Sequence, residues 1–167
     1  MAKASAFSSA ADAAGRSTFP TEKDKPLELK ARALRYLARR EHSRVELRRK
    51  LQPYAESPEI LEGALDWLES TKRLSNQRFA EARAHWMARK YGAARIRHDL
   101  KSKGVEDELV ARVSAEGELE RARAILQRKY RDHGRTREER ARRARFLQSR
   151  GFSYDTIYQA VRIEDDE

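Results

Sequence analysis

Beyond Leu27 the apolar side chains return at three- and four-residue intervals, as in Leu47 and Leu51, Leu61, Leu65 and Leu68, Ile96 and Leu100, and Ala122 and Leu126. That spacing puts one apolar stripe on each helix and is incompatible with the two-residue alternation of strands. Punctuation agrees with it. Ser43-Arg-Val-Glu46 and Thr136-Arg-Glu-Glu139 have the form of capping boxes, Ser57 precedes Pro58 at a first helical position, and Ser75 and Ser153 stand where further caps are needed. Lys103-Gly104-Val105 and Arg150-Gly151-Phe152 read as helix ends, with a left-handed glycine followed by an apolar residue that folds back on the last turn. The pattern predicts nine helices, near 28–41, 44–52, 58–71, 76–90, 93–103, 107–115, 117–132, 137–150 and 154–162. Residues 1–26, rich in Ala, Ser and Thr with Pro20 and Pro26, carry no such periodicity and read as a flexible tail.

The nine helices fall into three sets of three. Ala33, Leu37 and Arg40 recur as Ala82, Trp86 and Arg89, then as Ala122, Leu126 and Lys129. Leu47 and Leu51 map onto Ile96 and Leu100, whereas Leu100, Gly104, Val105, Leu109 and Val110 map onto Leu147, Gly151, Phe152, Thr156 and Ile157. The offsets between these pairs lie near 48 residues, the signature of tandem helical units. The expected fold is all-α, with three tandem three-helix repeats at 27–75, 76–116 and 117–163, an acidic end at 164–167, and an elongated, curved shape in which neighbours share core. The third unit departs from the repeat. Arg143 stands where Ile96 is apolar, Glu139 replaces Gly92, and about seven residues, 131–137, are inserted, so its middle helix is expected to be less buried and more basic.

Length and composition sharpen this picture. At 167 residues and 19.4 kDa, with Ala supplying much of the apolar set, the chain has too few large side chains for one thick core. A net charge of +10 and a pI near 10.1 point to a polyanionic partner. The charge follows the repeat: residues 30–51 carry +7, residues 83–103 carry +6 and residues 121–150 carry +9, while 56–69 hold five acids and no base. Stacked units would align the second helices into a basic stripe suited to a filament or a nucleic acid. The alternative is that these cations are solvated faces paired with the acids of neighbouring helices.

Chemistry of other kinds has little to stand on. There is no Cys, hence no disulfide or thiolate metal site, and the reducing cytoplasm is the expected compartment. Neither a phosphate-cradling glycine loop nor the spacing of a metal-binding histidine pair occurs; His85, in the place of Tyr36, is expected to pack or lie half exposed. The carboxylates sit in polar helical runs, so neither an enzyme nor a cofactor is expected. Trp67, Trp86, Phe79, Tyr91, Phe146 and Tyr154 could stack on bases, but helical spacing assigns most of them to the core, with Tyr91 beside Gly92 the exception.

The segment from Ala33 to Ile157 resembles the RecX family, bacterial regulators of the RecA recombinase. The resemblance lies in ALRYLARREHSRVELRRKL, in LSNQRFAEARAHWMARKYGAARIRHDLKSKGV and in RARFLQSRGFSYDTI, and most specifically in Arg78-Phe79-Ala80, Tyr91-Gly92 with Arg95-Ile96-Arg97, Lys103-Gly104-Val105 and Arg150 to Asp155. It implies three tandem three-helix repeats that bind in the groove of the RecA filament on single-stranded DNA and restrain recombination, ATP turnover and coprotease activity. It also implies that the binding surface uses Arg48, Arg49, Arg95, Arg97, Lys101, Lys103, Arg142, Arg145 and Arg150. A nonspecific nucleic-acid-binding helical module with no recombinase target fits the basic repeats equally well.

Overall fold

A computed structural model describes residues 25–130 and 136–162. Most of the expected tail, the acidic end and the greater part of the insertion lie outside these residues. The described residues form α1 (Lys25–Leu37), α2 (Arg44–Leu51) with a 3-10 turn (Gln52–Tyr54), α3 (Pro58–Ser70), α4 (Asn76–Ala88), α5 (Ala93–Ser102), α6 (Asp107–Ala111), α7 (Glu118–Lys129), α8 (Arg137–Ser149) and α9 (Tyr154–Val161). The chain is all-α in its described residues. Helix α1 starts ahead of Leu27, with Pro26 in its first turn, where a missing N–H leaves no hydrogen bond unmade.

The caps form as chemistry demands, with one departure. Ser43, Ser57, Ser75, Thr136 and Ser153 each accept a hydrogen bond from the backbone N–H three residues on. At Thr136 the box closes reciprocally, Glu139 accepting from the Thr136 N–H. Glu46 makes no such return, because its carboxylate is engaged by Arg40 at 2.9 Å and Lys103 at 3.3 Å. Gly104 and Gly151 take the left-handed conformation, at φ +71° and +77°, and Val105 and Phe152 fold back to donate to the carbonyls of Leu100 and Leu147. Gly117 is left-handed too, at the start of α7.

Each unit has its own core. Leu47, Leu51, Leu65 and Leu68 centre the first, Phe79, Met87, Ile96 and Leu100 the second, and Ala122, Leu126, Leu147 and Phe152 the third. These clusters are separate, so the units do not share a core as expected. The junctions between them are polar and backbone-mediated.

Two further expectations are corrected. In α4 the core-facing positions are Ala80, Ala84 and Met87, while Ala82 and His85 are exposed and Trp86 is 54% exposed. The rotation has a cause. Arg83 turns inward to grip Asp99 of α5 through two hydrogen bonds of 2.8 and 3.0 Å, and its guanidinium covers the outward Trp86 ring. Tyr154, another of the aromatics expected in the core, is 81% exposed. Arg143, by contrast, is only 8% exposed, its guanidinium lying 5.1 Å from the Tyr130 ring centre. It holds in α8 the repeat position that Ile96 holds in α5, and a long aliphatic stem lets such a side chain be covered while its charge is met by a ring.

Candidate polyanion-binding surface

The surface begins with the contacts that fix one unit against the next. Ser43, the cap of α2, donates its hydroxyl to the carbonyl of Lys103 at the end of α5, at 2.7 Å. One junction further, the N–H of Gly92 at the start of α5 donates to the carbonyl of Arg150 at the end of α8, at 3.0 Å. In the first two units the start of the second helix thus docks beside the left-handed glycine that ends the second helix of the following unit. The second helices consequently meet head to tail in the spatial order α8, α5, α2.

At the second of these junctions close approach is possible only because glycine lies on both sides. A Cβ on Gly92 would lie 2.3 Å from the Gly151 carbonyl oxygen, and one on Gly151 would lie 2.6 Å from the Arg95 Cβ. Without a side chain, Gly92 cannot cap α5 as Ser43 caps α2. Glu118 supplies that function. Its side chain, in a residue only 2% exposed, accepts from the Ala93 N–H at 2.7 Å, the Ser153 N–H at 3.4 Å and the Thr156 hydroxyl at 3.0 Å. One buried carboxylate therefore serves the N-termini of α5 and α9, where helix dipoles favour negative charge.

The predicted surface cations divide by what holds them. Arg48 pairs with Glu62, Lys101 with Asp107 and Lys103 with Glu46, so these follow the alternative of charges matched by neighbouring acids. Arg97 donates to the Val113 carbonyl at 2.7 Å and Arg150 to that of Lys90 at 2.9 Å, each tying a helix to an adjacent segment. Arg49, Arg95, Arg142 and Arg145 are exposed and make no ion pair among the described residues. The second helices bring the nine residues onto consecutive units; six of them carry no acid partner among the described residues, and of those six only this last group is also exposed.

Carboxylates elsewhere are tuned by the same contacts. The Arg83 hydrogen bonds hold Asp99 below the ordinary aspartate range. Burial pushes Glu46 up, yet the Arg40 and Lys103 contacts outweigh it and leave the group lowered. Burial likewise opposes the charge of Arg44, but hydrogen bonds to Asp66 and Glu62 and the field of Glu69 raise its pKa.

Aromatic residues hold another set of cations. Tyr91 lies beneath Arg95 and Arg150, and Phe146 beneath Arg150 and Lys129, with cation-to-centroid distances of 4.5 to 5.7 Å. Lys129 also covers Tyr130, whose ring meets Phe146 edge to face. From the sequence, Tyr91 stands at a helix junction and Phe146 is expected to pack. Its i to i+4 spacing from Arg150 and its neighbour Arg145 were the available signal. Glu118 offered no signal, sitting in an ordinary acidic run.

Comparison with known proteins agrees with this architecture. Residues 30–68, 75–113 and 116–161 match, in order, the first, second and third three-helix domains of RecX. The chain is 45% identical over 148 residues to Regulatory protein RecX of Herbaspirillum seropedicae, covering 85% of this chain and 96% of that one. It is 46% identical over 143 residues to Regulatory protein RecX of Ralstonia nicotianae, covering 84% and 90%. A crystal structure of RecX from Lactobacillus salivarius superposes with a TM-score of 0.71 at 20% identity, covering 83% of this chain and 96% of that one, which establishes likeness of fold. Three units in order, and identity sustained across nearly the whole length of named relatives, place this chain in the RecX family of regulatory proteins.

Proposed function

We propose that this chain binds the RecA recombinase filament on single-stranded DNA and restrains its recombinase, ATPase and coprotease activities, acting as a monomer in the cytoplasm during DNA repair and the SOS response. The supporting observation is the head-to-tail order of the second helices, with unmatched arginines at Arg49 on α2, Arg95 on α5 and Arg142 and Arg145 on α8. A repeating polyanionic partner can meet several such charges at once, and each phosphate neutralised releases counterions. The regulatory character of the named relatives and the family's association with RecA supply the partner.

Adding the protein to preformed recombinase filaments and following ATP hydrolysis tests the reading. The expected result is a dose-dependent fall in hydrolysis. Unchanged hydrolysis, together with binding to bare single strands at the same salt, would replace this reading with that of a nonspecific nucleic-acid-binding repeat.

A further inference from the structure

What partners a surface cation decides whether it can serve a phosphate. A carboxylate partner cancels the charge and occupies the N–H donors, whereas an aromatic face orients a cation while leaving its charge and its donor edge available. Both kinds of partner occur here, in different places. In the first unit Arg44 is held by Glu62, Asp66 and Glu69, Arg48 by Glu62 and Arg40 by Glu46. Ring-held cations occur there too, but as isolated pairs: Lys30 on Trp67, Arg32 on Tyr54 and Lys50 on Tyr36.

Across the junction of the second and third units the pairs join into one series. Arg95 lies on Tyr91, Tyr91 under Arg150, Arg150 on Phe146, and Phe146 under Lys129. Arg95 and Lys129 are exposed, and neither carries an ion pair among the described residues. The series crosses from α5 to α8 where Gly92 and Gly151 bring the two units into contact, so its alignment depends on that junction. Net charge is concentrated on the third-unit side of this junction: residues 117–163 carry +7, against +3 for residues 27–75 and +3 for residues 76–116.

We infer that the phosphate backbone of a single strand is contacted directly by this ring-held series at the junction of the second and third units, and that the carboxylate-held arginines of the first unit do not contact it. The inference rests on the reading of the partner as a filament containing single-stranded DNA, and it names which face meets the strand.

The test compares two full-length double variants with the same loss of formal charge, using binding of a labelled oligothymidylate over a series of salt concentrations. Arg95→Gln with Lys129→Gln removes two ring-held cations; Arg40→Gln with Arg48→Gln removes two carboxylate-held ones. The slope of log affinity against log salt should flatten by about 1.4 for the first pair, from two lost contacts at about 0.7 each, and stay unchanged for the second. Phe146→Leu, which keeps every charge but removes the ring, should weaken binding by about two- to fivefold at constant slope, with its helicity checked by circular dichroism. Equal slope changes in the two double variants would overturn the inference, as would unaltered affinity in a folded Phe146→Leu protein. Hydrolysis by recombinase filaments, measured in parallel, separates the two readings: a wild-type protein that leaves hydrolysis unchanged defeats the regulatory reading while the strand-binding comparison still decides this one.

Discussion

Two glycines with opposite surroundings show how much a single hydrogen atom decides. At Gly92 an added Cβ would meet backbone atoms of Gly151 and Phe152 at 2.3 to 2.5 Å, and backbone cannot rotate away. Gly92→Ala should destabilise the protein by about 2–3 kcal/mol, the cost of overpacking a rigid contact. Gly63, in the interior of α3, has nothing within 4 Å, and Gly63→Ala should stabilise by about 0.5–1 kcal/mol through helix propensity. Chemical denaturation of both variants checks the contrast. His42 adds a pH dependence. Burial holds its pKa below the ordinary value, and its Nδ1 lies 3.0 Å from the Arg40 carbonyl, which a neutral ring can satisfy by donating. The folded state therefore binds fewer protons than the unfolded chain just below about pH 6.5, so stability is full above that value and falls as pH drops toward the lowered folded value. Replacing His42 by Gln should flatten this segment of the stability profile, measured by denaturation between about pH 5.5 and about pH 7.5. Sequence alone disclosed Gly104 and Gly151 as helix ends because each sits between a basic turn and an apolar residue. It did not disclose why Gly92 must be bare, since that contact lies between residues about 60 positions apart, Gly92 and Gly151.

At the scale of elements, local signals were nearly sufficient. The described helices were legible from apolar spacing, and in five of them a hydroxyl cap agreed with it and forms. Failure came where a tertiary contact overrode the local pattern. The first-helix repeat placed Ala82 and Trp86 inward, but the Arg83 grip on Asp99 turns α4 so that Ala84 and Met87 take those places. Helix α6 is shorter than predicted, ending at Ala111, because Arg112 and Val113 continue as single turns. Glu46 illustrates a cap residue diverted to cations of its own unit and of the next, Arg40 and Lys103, and caps are unequal in consequence. Ser75→Ala removes the cap of α4, the one hydrogen bond its side chain makes among the described residues, and should cost about 1 kcal/mol. Ser43→Ala removes a cap and, in addition, the hydroxyl that donates to Lys103 across the junction, leaving a partly buried carbonyl without that donor. Its cost should be larger, about 2 kcal/mol or more. Equal melting shifts for the two variants would show that the cross-unit bond contributes nothing.

For the whole molecule, the basic surface was legible as a recurring excess of Arg and Lys, but its division was not, because formal charge cannot reveal which cations their neighbours already hold. A sequence-based choice of Arg95, Arg97 and Lys101 mixes three situations: a ring-held arginine, one that ties α5 to Val113, and a lysine paired with Asp107. Substituting Arg97 should lower the melting temperature, since the Val113 carbonyl would lose its donor. Arg95, Arg142 and Arg145 are the better set, being exposed and free of ion pairs among the described residues. Replacing these three by Gln should lower melting only slightly, the Arg95–Tyr91 contact contributing about 0.5–1 kcal/mol at an exposed site and the other two positions about 0.5 kcal/mol or less. Inhibition of recombinase filaments should weaken steeply, and its dependence on salt should flatten, because the lost interaction is counterion release summed over several phosphates. Each single substitution should do much less, the sites acting together. A triple variant that melts like the parent and inhibits equally well at every salt concentration would show that the second helices face solvent in the bound state, with their charge serving solvation alone.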